Sequence, residues 1–132
     1  MVKLDTNETA ALSGALIEKI AKHNSVSTED LLAQMVLRTV SETGAVYVDD
    51  RESPKSMMFV LLGHYGVLAE KTCVIMAAEA DTGDYHAIWL AAKQFYKMND
   101  CKFTLLGGYL GGGFEPLKAL MDSPKHLNIY IQ

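Results

Sequence analysis

Apolar residues fall in short blocks along the chain, and their spacing changes from a helical to a strand-like period near residue 44. From Thr6 to Lys22, Leu12, Leu16 and Ile20 recur at helical spacing, which predicts one helix with these side chains on a common face. After the polar turn His23-Asn24-Ser25, the run Ser27-Thr28-Glu29-Asp30 has the pattern of a capping box, so a second helix is expected to about Ser41. Its pairs Leu31/Leu32, Met35/Val36 and Thr39/Val40 form a stripe that should face the core. Thr43-Gly44 breaks the helix, Ala45-Val46-Tyr47-Val48 reads as a short strand, and Asp49-Asp50-Arg51-Glu52 returns the chain to solvent.

Residues 53–69 admit two readings. Ser53-Pro54 is a good helix start, while Met58-Phe59-Val60-Leu61-Leu62 has the length and content of a buried strand; a short helix is the expectation here. Beyond it, Glu70 to Gly108 predicts a strand, helix, strand unit. Cys73-Val74-Ile75-Met76-Ala77 is a continuous apolar run, Asp81-Thr82-Gly83-Asp84 supplies turn and capping residues, and Ile88, Ala91, Phe95 and Met98 follow helical spacing. Lys102-Phe103-Thr104-Leu105-Leu106 is the second strand. The glycine-rich stretch Gly107 to Gly113, a short helix over Phe114 to Met121 and an alternating strand, Leu127 to Ile131, complete the chain. Strands separated by helices imply crossover connections, so the expected architecture is one α/β domain over residues 1–132, a two-layer sandwich with extra N-terminal helices.

Composition narrows the function classes. The chain has 132 residues, 49% of them hydrophobic, with no run near the roughly 18–20 apolar residues that a membrane span requires. The start, Met1-Val2-Lys3-Leu4-Asp5, lacks the basic and then apolar pattern of a signal peptide, which leads to the expectation of a cytoplasmic protein. A net charge of −4, with scattered Lys and Arg, argues against nucleic acid as a partner. His23, His64, His86 and His126 show no zinc-ligand spacing, and neither Cys73 nor Cys101 belongs to a CxxC pair. No metal or other cofactor is expected, and the two cysteines read as small buried thiols. The glycine-rich stretch lacks the ending of a P-loop and the spacing of a dinucleotide fingerprint, so it reads as a flexible turn in preference to a ligand cradle. Glu70 stands at the entrance of an apolar strand after Gly63-His64-Tyr65-Gly66. There it is either an exposed charge closing a loop or a carboxylate that binds a cation.

Met35-Val36, Tyr47, Glu70-Lys71-Thr72, the alanine-rich helix around Ala87 to Ala92, and Asp100-Cys101 occur in an order similar to that of the phage S-adenosylmethionine-cleaving enzymes. The spacing from Tyr47 to Glu70-Lys71-Thr72 is the same, and the similarity covers roughly residues 30–108. The resemblance implies a GlnB-like (ferredoxin-like) sandwich that forms a homotrimer with sites between subunits. It also implies cleavage of S-adenosylmethionine to methylthioadenosine and homoserine lactone, in a phage countering host restriction and modification. The substrate's own carboxylate would attack its γ-carbon, so the protein would chiefly impose a near-attack geometry. In that scheme Glu70 holds the cationic part of the substrate, Phe59 shapes the pocket and Ser56 offers a polar contact. Two features depart from the family. Phe59 stands where the family has Tyr, which keeps the ring and removes a hydroxyl donor and so implies impaired activity. The N-terminus reads as helix where the coliphage enzyme begins with a strand.

The order of two helices, strands, a long helix after an apolar strand and another strand also resembles the GNAT acetyltransferases. Their pyrophosphate loop should fall near Ala80-Asp81-Thr82-Gly83-Asp84, where two aspartates are poor company for a diphosphate and imply a degenerate member. A third reading is a non-enzymatic phage protein that binds a host factor through its first two helices.

Overall fold

The computed structural model describes residues 1–63, 71–107, 112–121 and, as backbone, 127–131. Glu70 and Gly108, the bounds of the predicted strand, helix, strand unit, lie outside the described residues.

The chain opens with a strand, β1 (Val2–Lys3), and not with the helix that the N-terminal pattern suggested. Asp5 then caps α1 (Thr6–Ala10): its carboxylate accepts from the Glu8 amide at 2.7 Å, and the Glu8 side chain accepts from the Asp5 amide at 3.1 Å. The single helix expected over Thr6 to Lys22 is two helices. Gly14, at φ 103°, adopts a conformation that side chains rarely allow, and α2 (Ala15–His23) sets off from it. Leu12, Leu16 and Ile20 mimic one continuous stripe because Leu12 packs from the linker against the same core that Leu16 and Ile20 enter from α2. The predicted second helix is α3 (Thr28–Val40), with Ser27 Oγ accepting from the Asp30 amide at 3.1 Å.

Next come β2 (Gly44–Val48) and β3 (Ser56–Gly63), so the helix expected within residues 53–69 is a strand as far as Gly63. The reason is burial. Ser56 to Leu61 are all buried, whereas a surface helix buries only a stripe; a strand with a partner on each side and helices over each face buries both faces. Ser53-Pro54 serves the β2–β3 connection instead, where Asp49 Oδ1 accepts from the Lys55 and Ser56 amides at 2.9 and 3.0 Å. Burial alone would raise the Asp49 carboxyl; these amide hydrogen bonds outweigh it and hold the group below its usual value.

The expected strand, helix, strand unit is β4 (Thr72–Ala80), α4 (His86–Met98) and β5 (Phe103–Gly107), with β4 and β5 parallel. The chain continues through α5 (Phe114–Leu120) to β6 (Leu127–Ile131), parallel to β5 at the sheet edge. The sheet runs β1-β2-β3-β4-β5-β6, antiparallel through β4 and parallel from there on. Helices α2 and α3 cover one face through Leu16, Ile17, Ile20, Leu31 and Met35. On the other face α4 and α5 contribute Ile88, Trp89, Phe95, Phe114 and Leu117. The α/β class therefore stands, as three layers and not two. Among the described residues no helix is long and apolar enough to cross a membrane.

Cys73 and Cys101 are free and buried, and burial pushes both thiols up from their ordinary pKa. Both should stay unreacted with a thiol reagent at pH 8 in the folded protein and react on denaturation; rapid native-state labelling would contradict this assignment. At Gly44 an added Cβ would lie 2.9 Å from the Val60 carbonyl oxygen and 2.9 Å from Arg38 Cβ, where α3 turns into β2. Gly44→Ala is expected to lower stability by about 1–3 kcal/mol in urea unfolding, since backbone lies in the way.

Candidate functional site

Strand β4 carries one residue more than its partner β3 can match. Phe59 pairs with Ala77 and Val60 with Ile75, so Met76 is the extra residue of a β-bulge. Alternation along the strand changes phase there. Cys73 and Ile75 enter the α4-side core, Met76 and Ala77 both pack toward α2 and α3, and Ala78 and Ala80 return to the α4 side. In an unbulged strand Glu79 would share a face with Cys73 and Ile75 and enter an apolar core. The bulge turns it toward α2.

Glu79 is buried, 3% exposed, and its carboxylate meets two basic side chains one turn apart on α2: Lys19 Nζ at 3.5 Å and His23 Nδ1 at 2.9 Å. A buried carboxylate is tolerated only with such company. The His23 contact is close without being an aligned hydrogen bond. Among the described residues, Glu79 Oε1 and His23 Nδ1 are both buried with hydrogen-bonding capacity unfilled. Tyr85, just before α4, belongs to the same neighbourhood. Burial raises its phenol pKa, the Glu79 charge raises it further, and a hydrogen bond from the Ala80 backbone opposes them.

Over the bulge, beneath the α2–α3 turn, lies a cavity of about 140 Å³ bounded by Asn24, Val26, Leu31, Gln34, Phe59 and Met76, with Ala77 in its floor. In the plane of the sheet a second feature adjoins it. The β4–β5 ladder spans only Thr72–Ile75 against Phe103–Leu106, whereas β4 continues to Ala80. Beyond Ile75, Gly113, ahead of α5, approaches β4. A Cβ there would lie 2.7 Å from the Ala78 carbonyl oxygen and 3.1 Å from the Tyr85 ring. Among the described residues, pairing between β4 and β5 thus extends only as far as Ile75.

Residues singled out from sequence are dispersed. Phe59, 2% exposed, lines the cavity on the α2–α3 face. Ser56 shares the parity of Met58 and Val60 and so lies on the α4 face, which means the sheet separates the two proposed substrate contacts. Tyr47 also enters the α4-side core, and Glu70 is outside the described residues. Sequence reasoning passed over Glu79, Lys19 and His23. The available signal was a lone carboxylate in the apolar run Cys73 to Ala80, which has to find a base, and a basic pair spaced i, i+4 on α2. Among the described residues no group of three or more His, Cys, Asp or Glu side chains is gathered as a metal would need.

Comparison with known proteins finds no family model, curated protein or solved structure that matches this chain.

If Lys19 and His23 neutralise Glu79, removing both leaves a buried carboxylate unpaired. Lys19→Ala with His23→Ala should cost about 3 kcal/mol in chemical denaturation, and adding Glu79→Ala should restore a large part of it. Simple additivity of the three losses would refute the pairing.

Proposed function

We propose that this chain is an acyltransferase of the GNAT type, taking an acyl group from a thioester that lies along β4 and handing it to an amine. The observation that carries the reading is β4, in which the bulge at Met76 and the end of pairing with β5 at Ile75 coincide. Three residues beyond that bulge the strand carries a buried carboxylate, Glu79, turned toward α2. The pantetheine arm of acetyl-coenzyme A is an extended chain bearing amides, and an open strand edge is suited to hydrogen-bonding such a chain. Element order adds support: a short strand and then helices come first, after which β2, β3 and β4 follow one another as antiparallel neighbours before α4 leads to the parallel β5. That order lends no support to the GlnB-like β-α-β-β-α-β arrangement.

In the proposed reaction Glu79, with His23 beside it, takes a proton from the acceptor's ammonium group. The freed amine attacks the thioester carbonyl, forming the C–N bond. Collapse of the intermediate breaks the C–S bond, and the nitrogen's surplus proton leaves with the thiolate as thiol.

A second reading, S-adenosylmethionine cleavage by a homotrimer, draws on one specific observation, the place of Phe59 on a cavity wall. Glu70 would hold the sulfonium substrate and Ser56 would serve from another part of the assembly. One set of samples separates the readings. An acetyl thioester, supplied as acetyl-coenzyme A or as S-acetylpantetheine, should raise the melting temperature and release thiol in the presence of an amine acceptor. Glu79→Gln should keep the thermal shift and lose thiol release by about a hundredfold or more. Methylthioadenosine appearing from S-adenosylmethionine, with no response to either thioester, would overturn the acyltransferase reading in favour of the second. A chain that answers to neither ligand would point to the non-enzymatic reading.

A further inference from the structure

We infer that a second binding site lies at the β1 edge of the sheet and takes a small organic cation, an amine with an apolar body. It is independent of the acyl-thioester reading. Strand β1 covers only part of β2. Val2 pairs with Val48 and Lys3 with Tyr47; the Leu4 amide then donates to the Val46 carbonyl at 2.9 Å, and the chain turns away at Asp5 to begin α1. Strand β2 begins earlier, at Gly44, so its first residues have no β1 partner. Helices α3 and α4, which cover opposite faces of the sheet, end nearby at Val40 and Met98. Between those ends and the start of α1 is a cavity of about 600 Å³, within the roughly 300–1,000 Å³ range of small-molecule sites.

The cavity wall combines apolar and anionic groups. Tyr47 and Phe95 contribute aromatic rings, and Met98, 78% exposed, contributes a thioether at the rim. Such groups suit both the apolar body and the charge of an alkylammonium ion. Tyr47 adds an independent observation: although the residue is only 6% exposed, its hydroxyl has no hydrogen-bond partner among the described residues. Nor is it one of the sealed polar atoms, so it meets solvent where Tyr47 lines the cavity. A hydroxyl so placed normally finds a partner, and a ligand N–H supplies one. Burial raises the phenol pKa, with Cys73 adding to it, which keeps the group an uncharged acceptor. Charge decides the sign of the ligand. Asp5 and Glu42 share the wall with one cation, Lys3. Asp5 is partly committed to capping α1, whereas the exposed Glu42 carboxylate forms no ion pair or hydrogen bond among the described residues. Arg38 and Lys97, the basic residues in the last turns of α3 and α4, are not part of the wall, and Arg38 is turned to Thr43 Oγ1 at 3.4 Å.

Phenethylamine, 2-phenylethanol and 3-phenylpropionate share a body and differ in charge, so titrating each into the full chain near neutral pH, followed by NMR shift perturbation, tests this. Phenethylamine should bind about tenfold tighter than the alcohol, and the carboxylate more weakly than either. Glu42→Gln, an exposed change, should lower phenethylamine affinity about fivefold and leave the alcohol unchanged. Tyr47→Phe should weaken phenethylamine but not its N,N,N-trimethyl analogue, which has no N–H to donate; the melting temperature checks that each variant is folded. The alcohol or the carboxylate binding as tightly as the amine, shifts that avoid β1 and the ends of α3 and α4, or no saturable shift with any probe up to about 10 mM would each overturn the inference. The acyl-thioester reading stands or falls separately, by thiol release.

Discussion

The phase of β4 is the constraint on which the rest of the site depends. A strand buried on both faces has no neutral place for a carboxylate, and Glu79 is acceptable only because the extra residue at Met76 turns it from the α4 core toward Lys19 and His23. The position of α2 is tied to the same device. Ile17, Ile20 and Ala21 pack its apolar side onto the sheet, and Lys19 and His23, between and beside them in sequence, reach the carboxylate. Packing and electrostatics thus fix the helix against the same strand.

The other edge of that strand is set by close packing. After Ile75 the β4–β5 ladder ends, and the backbone of Gly113 comes up against Ala78, a separation that a methyl group would violate. The glycine-rich stretch reads from sequence as a flexible turn. At Gly113 the structure gives it a packing reason, close approach of two backbones beside an aromatic ring. Gly108 to Gly111 lie outside the described residues.

Periodicity made the β4-α4-β5 unit, the Ser27 cap and the α/β class legible, because each depends on local pattern. The same reasoning failed where the pattern is ambiguous in principle. Met57 to Leu62 is apolar throughout, so nothing in its spacing distinguishes a buried strand from a helix, and the strong Ser-Pro start signal decided wrongly. Gly14 sits inside a stripe that looks continuous because residues on both sides enter one core. The bulge is the deepest case. Which residue of Ile75-Met76-Ala77 is supernumerary depends on the register against β3, a non-local quantity, and without it the facing of Glu79 cannot be assigned. The resemblance makes Phe59 and Ser56 contacts of one pocket, yet a separation of three residues in a strand puts them on opposite faces.

Strand order also bears on how the molecule assembles. Every strand lies beside its neighbour in sequence, and from β2 to β4 the sheet grows by antiparallel connections that need no helical crossover. Loop closure there is short-range, so the antiparallel half can form as the chain emerges from the ribosome. The parallel half has to wait until α4 has docked and the crossover to β5 is complete. The boundary between early and late structure therefore falls along β4, the seam at which folding passes from local to long-range contacts.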